Sequence, residues 1–286
     1  MANLESATGA GDVITLTRRP TADLPIDLEG VTPDRLAVLA EREIAALPVW
    51  AGGEQVALAD LFDVRGGRSA HVRLEGDLSR AVRVGAYMKA GVLEVAGSVG
   101  DDAGLAMAGG TLRISGDAGH RLGAAVPGAS KGMTGGEIVV DGSAGAEAGA
   151  RLRRGLIVVG GNAGARAARD IIAGTVVVLG ATGSGAGRGS KRGSVIAIGP
   201  IDIPPTYRYA CTFESPYVRL LMTYLRRTYH LPIPAEVVDG RYQRYLGDAG
   251  PPGKGEILRW AGLTGGPEQP SILSRAVPAT VQPPGD

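Results

Sequence analysis

The sequence has a single cysteine, Cys211, among its 286 residues. One cysteine excludes a disulfide within the chain, a zinc site built on paired cysteines and an iron–sulfur cluster held by this chain's thiolates. We expect the Cys211 thiol to be buried, since no local basic pair marks it as a nucleophile. No apolar run approaches the roughly 18 residues that a membrane helix needs, and the segment 1–11 lacks the pattern of a secretory signal. These features predict a cytoplasmic protein that does not bind membranes.

Aromatic residues are scarce and unevenly placed. They make up 4% of the sequence, none lies between Met88 and Thr206, and nine of the twelve lie between Tyr207 and Trp260. The aromatic-free part is rich in glycine, of which the chain has 46, but glycine at every third position is absent, which excludes collagen. Composition therefore divides the chain into an N-terminal cap (1–68), a glycine-rich domain (69–200), an aromatic C-terminal extension (201–262) and a Pro/Gly-rich tail (263–286).

An excess of charge of one sign is also absent. There are 30 basic and 29 acidic residues, for a net charge of +1. This balance gives no argument for a nucleic acid or a membrane surface as partner. The basic residues are 26 arginines and four lysines. Any local positive surface would therefore favour forked hydrogen bonds to carboxylates or phosphates.

The sequence does contain a clear internal repeat. Six segments share a leading glycine, a β-branched centre and a closing glycine, with the leading glycines 19, 26, 19, 19 and 19 residues apart: GVLEVAG (91–97), GTLRISG (110–116), GEIVVDG (136–142), GLIVVGG (155–161), GTVVVLG (174–180) and GSVIAIG (193–199). The longer interval holds an insertion around Val126–Lys131, and HVRLEG (71–76) is an earlier copy. A GxxGxxxG pattern follows most copies, and glycine suits corners that need positive φ or close backbone approach.

Each copy supplies one short strand, which cannot bury its own apolar face, whereas stacked copies can do so by pairing in parallel at about 4.8 Å per coil. The second and fourth residues after the leading glycine are apolar throughout, from Leu93 and Val95 to Val195 and Ala197. A second column lies nine residues before each closing glycine: Met88, Met107, Met133, Leu152, Ile171 and Ser190. The pattern predicts a mainly β fold, a right-handed parallel β-helix of about seven 19-residue GxxGxxxG coils, with a small α/β N-terminal cap and a helical C-terminal extension.

The third residue after each leading glycine points outward. It is polar in the first two of the six copies, as Glu94 and Arg113, and apolar in the later four: Val139, Val158, Val177 and Ile196. An apolar outer stripe predicts that something covers it. Two covers fit the sequence, namely the chain's own C-terminal helix and a second subunit whose interface would include these four residues.

The flanking parts carry ordinary strand and helix signals. A strand at 12–19 precedes a single helix over 33–47 capped by Thr32, and this unit would cover the open strand edges of the first coil. The segment 241–247 combines arginine and tyrosine, as interface cores often do. After the repeat, Ser215 begins a helix with one apolar face: Val218, Leu221, Met222 and Leu225.

No catalytic constellation is visible in the sequence. His71, His120 and His230 lie in different parts of the chain, and we expect solvated or capping roles for them. The segments GSGAGRGSKRG (183–193) and GPPGKGE (250–256) lack the GxxxxGK[ST] spacing of a phosphate-binding loop, and no helical pattern follows them. We therefore predict no catalytic residue, metal site, nucleotide site or redox cofactor on this chain.

Positive charge is concentrated in one stretch. Between Ala146 and Gly193 there are eight basic residues and two acids, Glu147 and Asp170, for a net charge of +6. The 19-residue period stacks several of these cations one or two coils apart. A solvated corner or a contact with an acidic neighbouring subunit is one interpretation. The other is a binding surface for an acidic ligand. The residues concerned are Arg151, Arg153, Arg154, Arg169, Arg188, Lys191 and Arg192.

Three motifs together resemble a known family. The GxxGxxxG coils, GMTGGEIVVDG (132–142) and PTYRYACTFESPYVRLLMTYLRR (205–227) resemble the C subunit of formylmethanofuran dehydrogenase, and most closely its counterpart in the bacterial formyltransferase/hydrolase complex of methylotrophs. The repeat is also similar to the C-terminal domain of the glutamate synthase large subunit. The segment TPDRLAVLAEREIAALPVW (32–50) favours the first family, and that resemblance covers about residues 12–260.

The resemblance implies a role in one-carbon metabolism. The family complex moves a formyl group from formyltetrahydromethanopterin to a methanofuran-type carrier and hydrolyses it to formate. Its active sites lie on a formyltransferase subunit and on a metal-dependent, amidohydrolase-like subunit, while the C subunit packs on a subunit related to the molybdopterin-binding one. This chain would then be a non-catalytic scaffold, and the polyglutamate tail that the resemblance implies for the carrier is one candidate ligand for the basic cluster. The alternative is a glutamate-synthase-type β-helix protein in nitrogen metabolism.

Overall fold

The structure, a computed structural model, describes residues 13–20, 24–247 and 253–263. The part before the repeat contains β1 (Ile14–Arg18), β2 (Ile26–Asp27), α1 (Pro33–Leu36), α2 (Glu41–Ala45), β3 (Pro48–Ala51), β4 (Glu54–Ala57), α3 (Leu58–Leu61) and β5 (Phe62–Arg65). The repeat contains β6 (His71–Glu75), β7 (Ala81–Val82), β8 (Val92–Ala96), β9 (Thr111–Ile114), β10 (Glu137–Val140), β11 (Leu156–Val159), β12 (Thr175–Val178) and β13 (Ser194–Ala197). The part after it contains β14 (Arg208–Glu214), α4 (Pro216–Thr228), α5 (Ala235–Val238), β15 (Arg241–Gly247) and β16 (Gly255–Trp260). The predicted tail lies outside the described residues, apart from Leu263.

Twelve of these strands form one sheet in the order β14-β15-β16-β13-β12-β11-β10-β9-β8-β6-β1-β5. The repeat strands pair in parallel with equivalent residues side by side, so that Val139 lies beside Val158 and Val158 beside Val177. The insertion before β10 leaves this register intact, because Ile138 still pairs with Leu112. The prediction of a mainly β protein with a large, parallel-rich sheet is confirmed.

A second line of contacts joins successive coils away from these strands. Isolated parallel bridges connect one residue of each coil to its equivalent in the next: Leu78, Val99, Ala118, Ala144, Ala163 and Thr182. Consecutive coils therefore pair on two sides of the stack, at the spacing of about 4.8 Å that parallel strands require.

The two predicted inner columns form the main core. The second and fourth residues of every copy from Leu93 to Ala197 are at most 2% exposed, and the five apolar members of the second column, from Met88 to Ile171, are fully buried. Ser190 is the polar member of that column. It is also buried, and its hydroxyl donates to the carbonyl of Gly187 at 2.6 Å. The hydrogen bond meets the requirement that a buried hydroxyl find a partner.

One corner position carries a charge in five successive coils, and the sign alternates from coil to coil; the equivalent residue of the next coil is Gly185. The residues have φ between 57° and 64° and occupy equivalent places in successive coils: Arg83, Asp102, Arg121, Glu147 and Arg166. Arg121 donates to both carboxylate oxygens of Asp102, at 2.7 and 2.5 Å, and Arg166 lies 3.0 Å from Glu147. Opposite charges therefore face each other in these two pairs, whereas Arg83 forms its ion pairs with Asp27 and Glu29.

Strands of the flanking parts close both ends of the parallel stack. At one end β1 pairs in parallel with β6, and β5 pairs antiparallel with β1. At the other end β16 pairs in parallel with β13, followed by β15 and β14 in antiparallel order. The flanking strands thus occupy the edges that the coils alone would expose.

The single helix predicted over 33–47 is wrong. The structure has two short helices, α1 and α2, separated by residues 37–40. The returning chain explains the break, because the Arg68 N–H donates to the Leu39 carbonyl at 2.8 Å and the Gly66 N–H donates to the Glu41 carboxylate at 2.8 Å. In a continuous helix the Leu39 carbonyl would be used within the helix and could not accept this bond.

The helix predicted after the repeat is confirmed as α4. Ser215 is its N-cap, with a side chain that accepts a hydrogen bond from the Val218 N–H, and Pro216 follows as the first helical residue. The predicted apolar face of this helix is buried, as Val218, Leu221, Met222 and Leu225.

Close stacking of the coils makes one glycine substitution informative. Gly110 has φ +81°, and a Cβ there would lie 2.7 Å from the Gly91 carbonyl oxygen of the preceding coil. Gly110→Ala should lower the free energy of unfolding by roughly 3 kcal/mol, from positive φ and the backbone clash together. Gly128 has a similar φ but no atom within 4 Å of such a Cβ. Gly128→Ala should therefore lose only about 1 kcal/mol in the same denaturant titration, and equal losses would contradict the close-packing account.

Candidate functional site

The apolar outer stripe lies under the chain's own C-terminal helix. Val139, Val158, Val177 and Ile196 are fully buried, in one cluster with the apolar face of α4. Tyr242 of β15 and Leu258 of β16 complete this second core on the outer side of the sheet. The structure thus provides the first of the two covers that the sequence allowed. These four side chains have no exposed surface left for the second, which corrects their assignment to a subunit interface.

A carboxylate and two tyrosines fasten α4 to the sheet. Glu137, the first residue of β10, accepts hydrogen bonds from the hydroxyls of Tyr224 at 2.9 Å and Tyr229 at 2.5 Å. Arg113 donates to the Tyr229 carbonyl at 2.8 Å and lies over its ring. Burial, and then the bonded Glu137 carboxylate, raise the pKa of the Tyr229 hydroxyl, because both disfavour the phenolate. This polar contact at the helix end fixes α4 across the strands.

The structure divides the predicted basic cluster into two groups. Arg151 and Arg169 are held within the coil stack by the two acids of that stretch. Glu147 lies 3.7 Å from Arg169, and Asp170 lies 3.8 Å from Arg151 and 3.5 Å from Arg169. These arginines are therefore largely compensated by their own chain. Within the described residues, no ion pair forms with the five others: Arg153, Arg154, Arg188, Lys191 and Arg192.

Four of those five cations line up at the starts of the strands, and a fifth residue joins them. Arg154 and Arg192 precede β11 and β13 by two residues each, Lys254 directly precedes β16, and the register of the sheet places the three on one line. The Lys254 N–H donates to the Lys191 carbonyl at 2.7 Å, which fixes the start of β16 on the last coil. All five side chains are exposed. We call this set the basic column: Arg153, Arg154, Lys191, Arg192 and Lys254.

The histidines and the cysteine lie apart from the basic column. His71 approaches Glu94 of the next coil at 3.4 Å, and the His120 ring accepts the Ala146 N–H at 2.9 Å, so both serve local contacts between coils. Cys211 lies on β14 at the edge of the sheet and is exposed. The expectation of a buried thiol is wrong, because both faces of β14 are uncovered from Arg208 to Cys211, where all four residues are exposed.

Two further properties concern the residues that the structure describes. In that part of the chain, no group of three or more His, Cys, Asp or Glu side chains is placed to hold a metal ion. No helix there combines the length and apolar character needed to span a membrane.

Sequence similarity links the chain to two curated proteins. It is 35% identical over 101 residues to the C subunit of molybdenum-containing formylmethanofuran dehydrogenase 1 of Methanosarcina barkeri, covering 34% of this chain and 33% of that protein. It is 38% identical over 86 residues to the C subunit of the formyltransferase/hydrolase complex Fhc of Methylorubrum extorquens, covering 29% and 32%. The matched segments therefore span about a third of each curated relative. No protein-family model matches the sequence.

Structural similarity extends over most of the chain. A chain in the crystal structure of the formyltransferase/hydrolase complex (FhcABCD) from Methylorubrum extorquens in complex with methylofuran matches with a TM-score of 0.73 and 36% identity. The match covers 86% of this chain and 98% of that one. The chain belongs to the family of formylmethanofuran dehydrogenase C subunits. The matched part of this chain is longer than its glycine-rich repeat, so the similarity includes flanking segments.

The sequence analysis did not predict two features of this chain. The first is β16 and with it Lys254, although GEIL (255–258) repeats the opening of the GEIV copy at 136–139. The second is the pairing of charges across coils, for which a signal also exists. Asp102 and Arg121 are 19 residues apart, as are Glu147 and Arg166, so each pair occupies equivalent places in successive coils.

The covered stripe predicts that a charge there unfolds the protein. Val158→Arg places an unpaired guanidinium between the sheet and α4, and we expect the free energy of unfolding to fall by at least about 3 kcal/mol. Val38→Arg is the matched control, because Val38 is 74% exposed. That control should change stability by less than about 0.5 kcal/mol. Urea titrations of the isolated full chain measure both variants, and an unaltered midpoint for Val158→Arg would show that α4 does not cover the stripe.

The raised pKa of Tyr229 predicts a loss of stability in alkali. The folded state keeps this proton to higher pH than the unfolded chain, whose tyrosines titrate near pH 10. The contribution is complete below about pH 10 and is lost as the pH rises further. Tyr229→Phe should lose about 2 kcal/mol at pH 7 through the missing bond to Glu137. Above pH 10 the free energy of unfolding should fall less steeply with pH in this variant than in the wild type. The difference between the two slopes should be about 1.4 kcal/mol per pH unit. Parallel pH curves for the two proteins would contradict this assignment.

Proposed function

We propose that this chain is the non-catalytic structural C subunit of a cytoplasmic formyltransferase/hydrolase complex. Such a complex converts formyltetrahydromethanopterin to formate through a methanofuran-type carrier in one-carbon oxidation. The observation that carries the proposal is the similarity over 98% of a chain of the FhcABCD complex, at 36% identity. The matched 86% of this chain includes much more than the repeat, which related folds share with other functions.

We also propose the detailed form of the fold, a right-handed parallel β-helix of about seven coils between residues 69 and 200. Seven repeat strands with six parallel pairings support it, together with the second line of bridges. The N-terminal cap (1–68) and the C-terminal extension (201–262) would then be units that close its two ends. Closed ends suit a scaffold, because they leave no coil edge free to pair with another chain.

The proposed chemistry takes place on partner subunits. These are a formyltransferase, a metal-dependent amidohydrolase-like subunit and a subunit related to the molybdopterin-binding one, and the carrier and the pterin react there. The use of acidic side chains in this chain supports the division of labour. Glu137 is bonded to two tyrosines, Asp102 to Arg121, and Glu147 to two arginines, so these carboxylates serve the fold.

The basic column and Arg188 are the proposed binding residues. Their guanidinium and ammonium groups are exposed and uncompensated within the described residues, which favours an acidic partner. Arg151 and Arg169 also belong to the predicted surface, but their ion pairs with Glu147 and Asp170 favour a structural role for them.

Co-purification tests the proposed function. We expect the tagged full chain, expressed in its native host, to recover formyltransferase and amidohydrolase-like subunits in fixed ratio. The purified chain alone should show no formyl transfer or hydrolysis, while the recovered complex shows both. Turnover by the chain alone would contradict the non-catalytic role. Recovery of an amidotransferase or a flavoprotein instead would favour the glutamate-synthase-type alternative.

A further inference from the structure

One flank of α4 remains uncovered although its opposite face is buried. Tyr217 and Leu220 lie one turn apart on this flank, and their exposed fractions are 50% and 62%. Leu220 is among the most exposed large apolar side chains in the described part of the chain. A tyrosine beside an exposed leucine has the composition of an interface centre.

This flank of α4 lies next to the basic column. The Tyr217 hydroxyl is 2.9 Å from the hydroxyl of Thr175, the first residue of β12. Ala173, two residues before Thr175, occupies the place in the column between Arg154 and Arg192. Two residues of extended chain span roughly 7 Å. The exposed apolar pair and the cations therefore share one surface.

Three acids near this surface are already bonded within the chain. Glu256, two residues after Lys254, accepts hydrogen bonds from Arg244 at 2.8 Å and from Ser194 at 2.7 Å. Glu137 is bonded to two tyrosines, and Asp239 lies 2.9 Å from Arg219 on α4. Among the described residues, none of these three acids is therefore available to neutralise the basic column, which favours an acidic group on a partner.

We propose that this flank of α4 and the basic column form one docking surface for a partner subunit, whose own surface presents an apolar side chain surrounded by carboxylates. The inference rests on the proposed function, because it takes assembly with other subunits as given. Two properties of the surface support it. Successive cations along the column are about 5 or 10 Å apart, and the apolar pair lies beside them rather than in a separate patch.

The apolar pair favours a protein over a free polycarboxylate chain. An extended acidic chain would use the cations and gain nothing from Leu220. A folded partner gains from both, because protein interfaces combine a desolvated apolar centre with a polar rim. Charge complementarity would then accelerate association and select the orientation, and the apolar contact would slow dissociation.

Two variants of the full chain test the proposal through their binding to the other subunits of the complex. Leu220→Asp places a charge at the apolar centre, and Arg154→Glu with Arg192→Glu reverses the middle of the column. We expect each to weaken binding to the remaining subunits at least tenfold, measured with immobilised variant and purified partners. The binding of the double variant should also depend less on salt concentration than the binding of the wild type does. Both changes are on exposed side chains, so the thermal unfolding of the isolated chain should stay unchanged.

Matched controls carry the same changes at the N-terminal cap. Val38→Asp exchanges an exposed apolar residue, and Arg42→Glu with Arg65→Glu reverses two exposed cations. The proposal predicts binding within twofold of the wild type for both controls. Normal binding of the Leu220→Asp and double-arginine variants to the other subunits would overturn the proposal. A double-arginine variant that binds the subunits normally but no longer retains a long-tailed carrier would also overturn it. Failure of the wild-type chain to bind any of these subunits would instead refute the proposed function.

Discussion

Parallel pairing in constant register is the constraint on which the rest of this structure depends. Side chains alternate between the two faces of a strand, so a shift of one residue would exchange the inner and outer columns. The constant register places Ile138, Ile157 and Val176 one above the other inside the stack, and Val139, Val158 and Val177 above one another outside it. The core, the seat of α4 and the basic column all follow from this alignment.

Burial of the sheet on both faces is the second organising feature, and it begins part-way along the repeat. β8 and β9 alternate buried and partly exposed residues, as expected for strands with one wet face. From β10 to β13 three or four consecutive residues are buried, because α4 covers the outer side. The outward position is Arg113 in β9 and Val139 in β10, and the area covered by α4 begins between these two strands. Arg113 donates a hydrogen bond to the Tyr229 carbonyl at the C-terminal end of α4.

The features that the sequence predicted are those that depend on the repeat or on local signals. The period of 19 residues identified the strands and both inner columns, and the Ser215 cap and its apolar face identified α4. The break between α1 and α2 depends on Arg68 reaching back to Leu39, and the fastening of α4 depends on Glu137 meeting tyrosines 87 and 92 residues away. Contacts of that kind have no local pattern. The choice between the two covers of the outer stripe was open for the same reason, since it depends on where α4 lies.

The alternating corner charges have a consequence for how the coils find their order. The apolar columns are almost the same in every coil, so they discriminate poorly between a correct neighbour and the coil beyond it. A stack that skipped the coil of Glu147 would keep its valine and leucine columns but bring Arg121 against Arg166. Like charges in contact destabilise such an arrangement, while correct neighbours present opposite charges. The pairs of Asp102 with Arg121 and of Glu147 with Arg166 thus favour the correct order of neighbouring coils, a preference that the repetitive core alone does not provide.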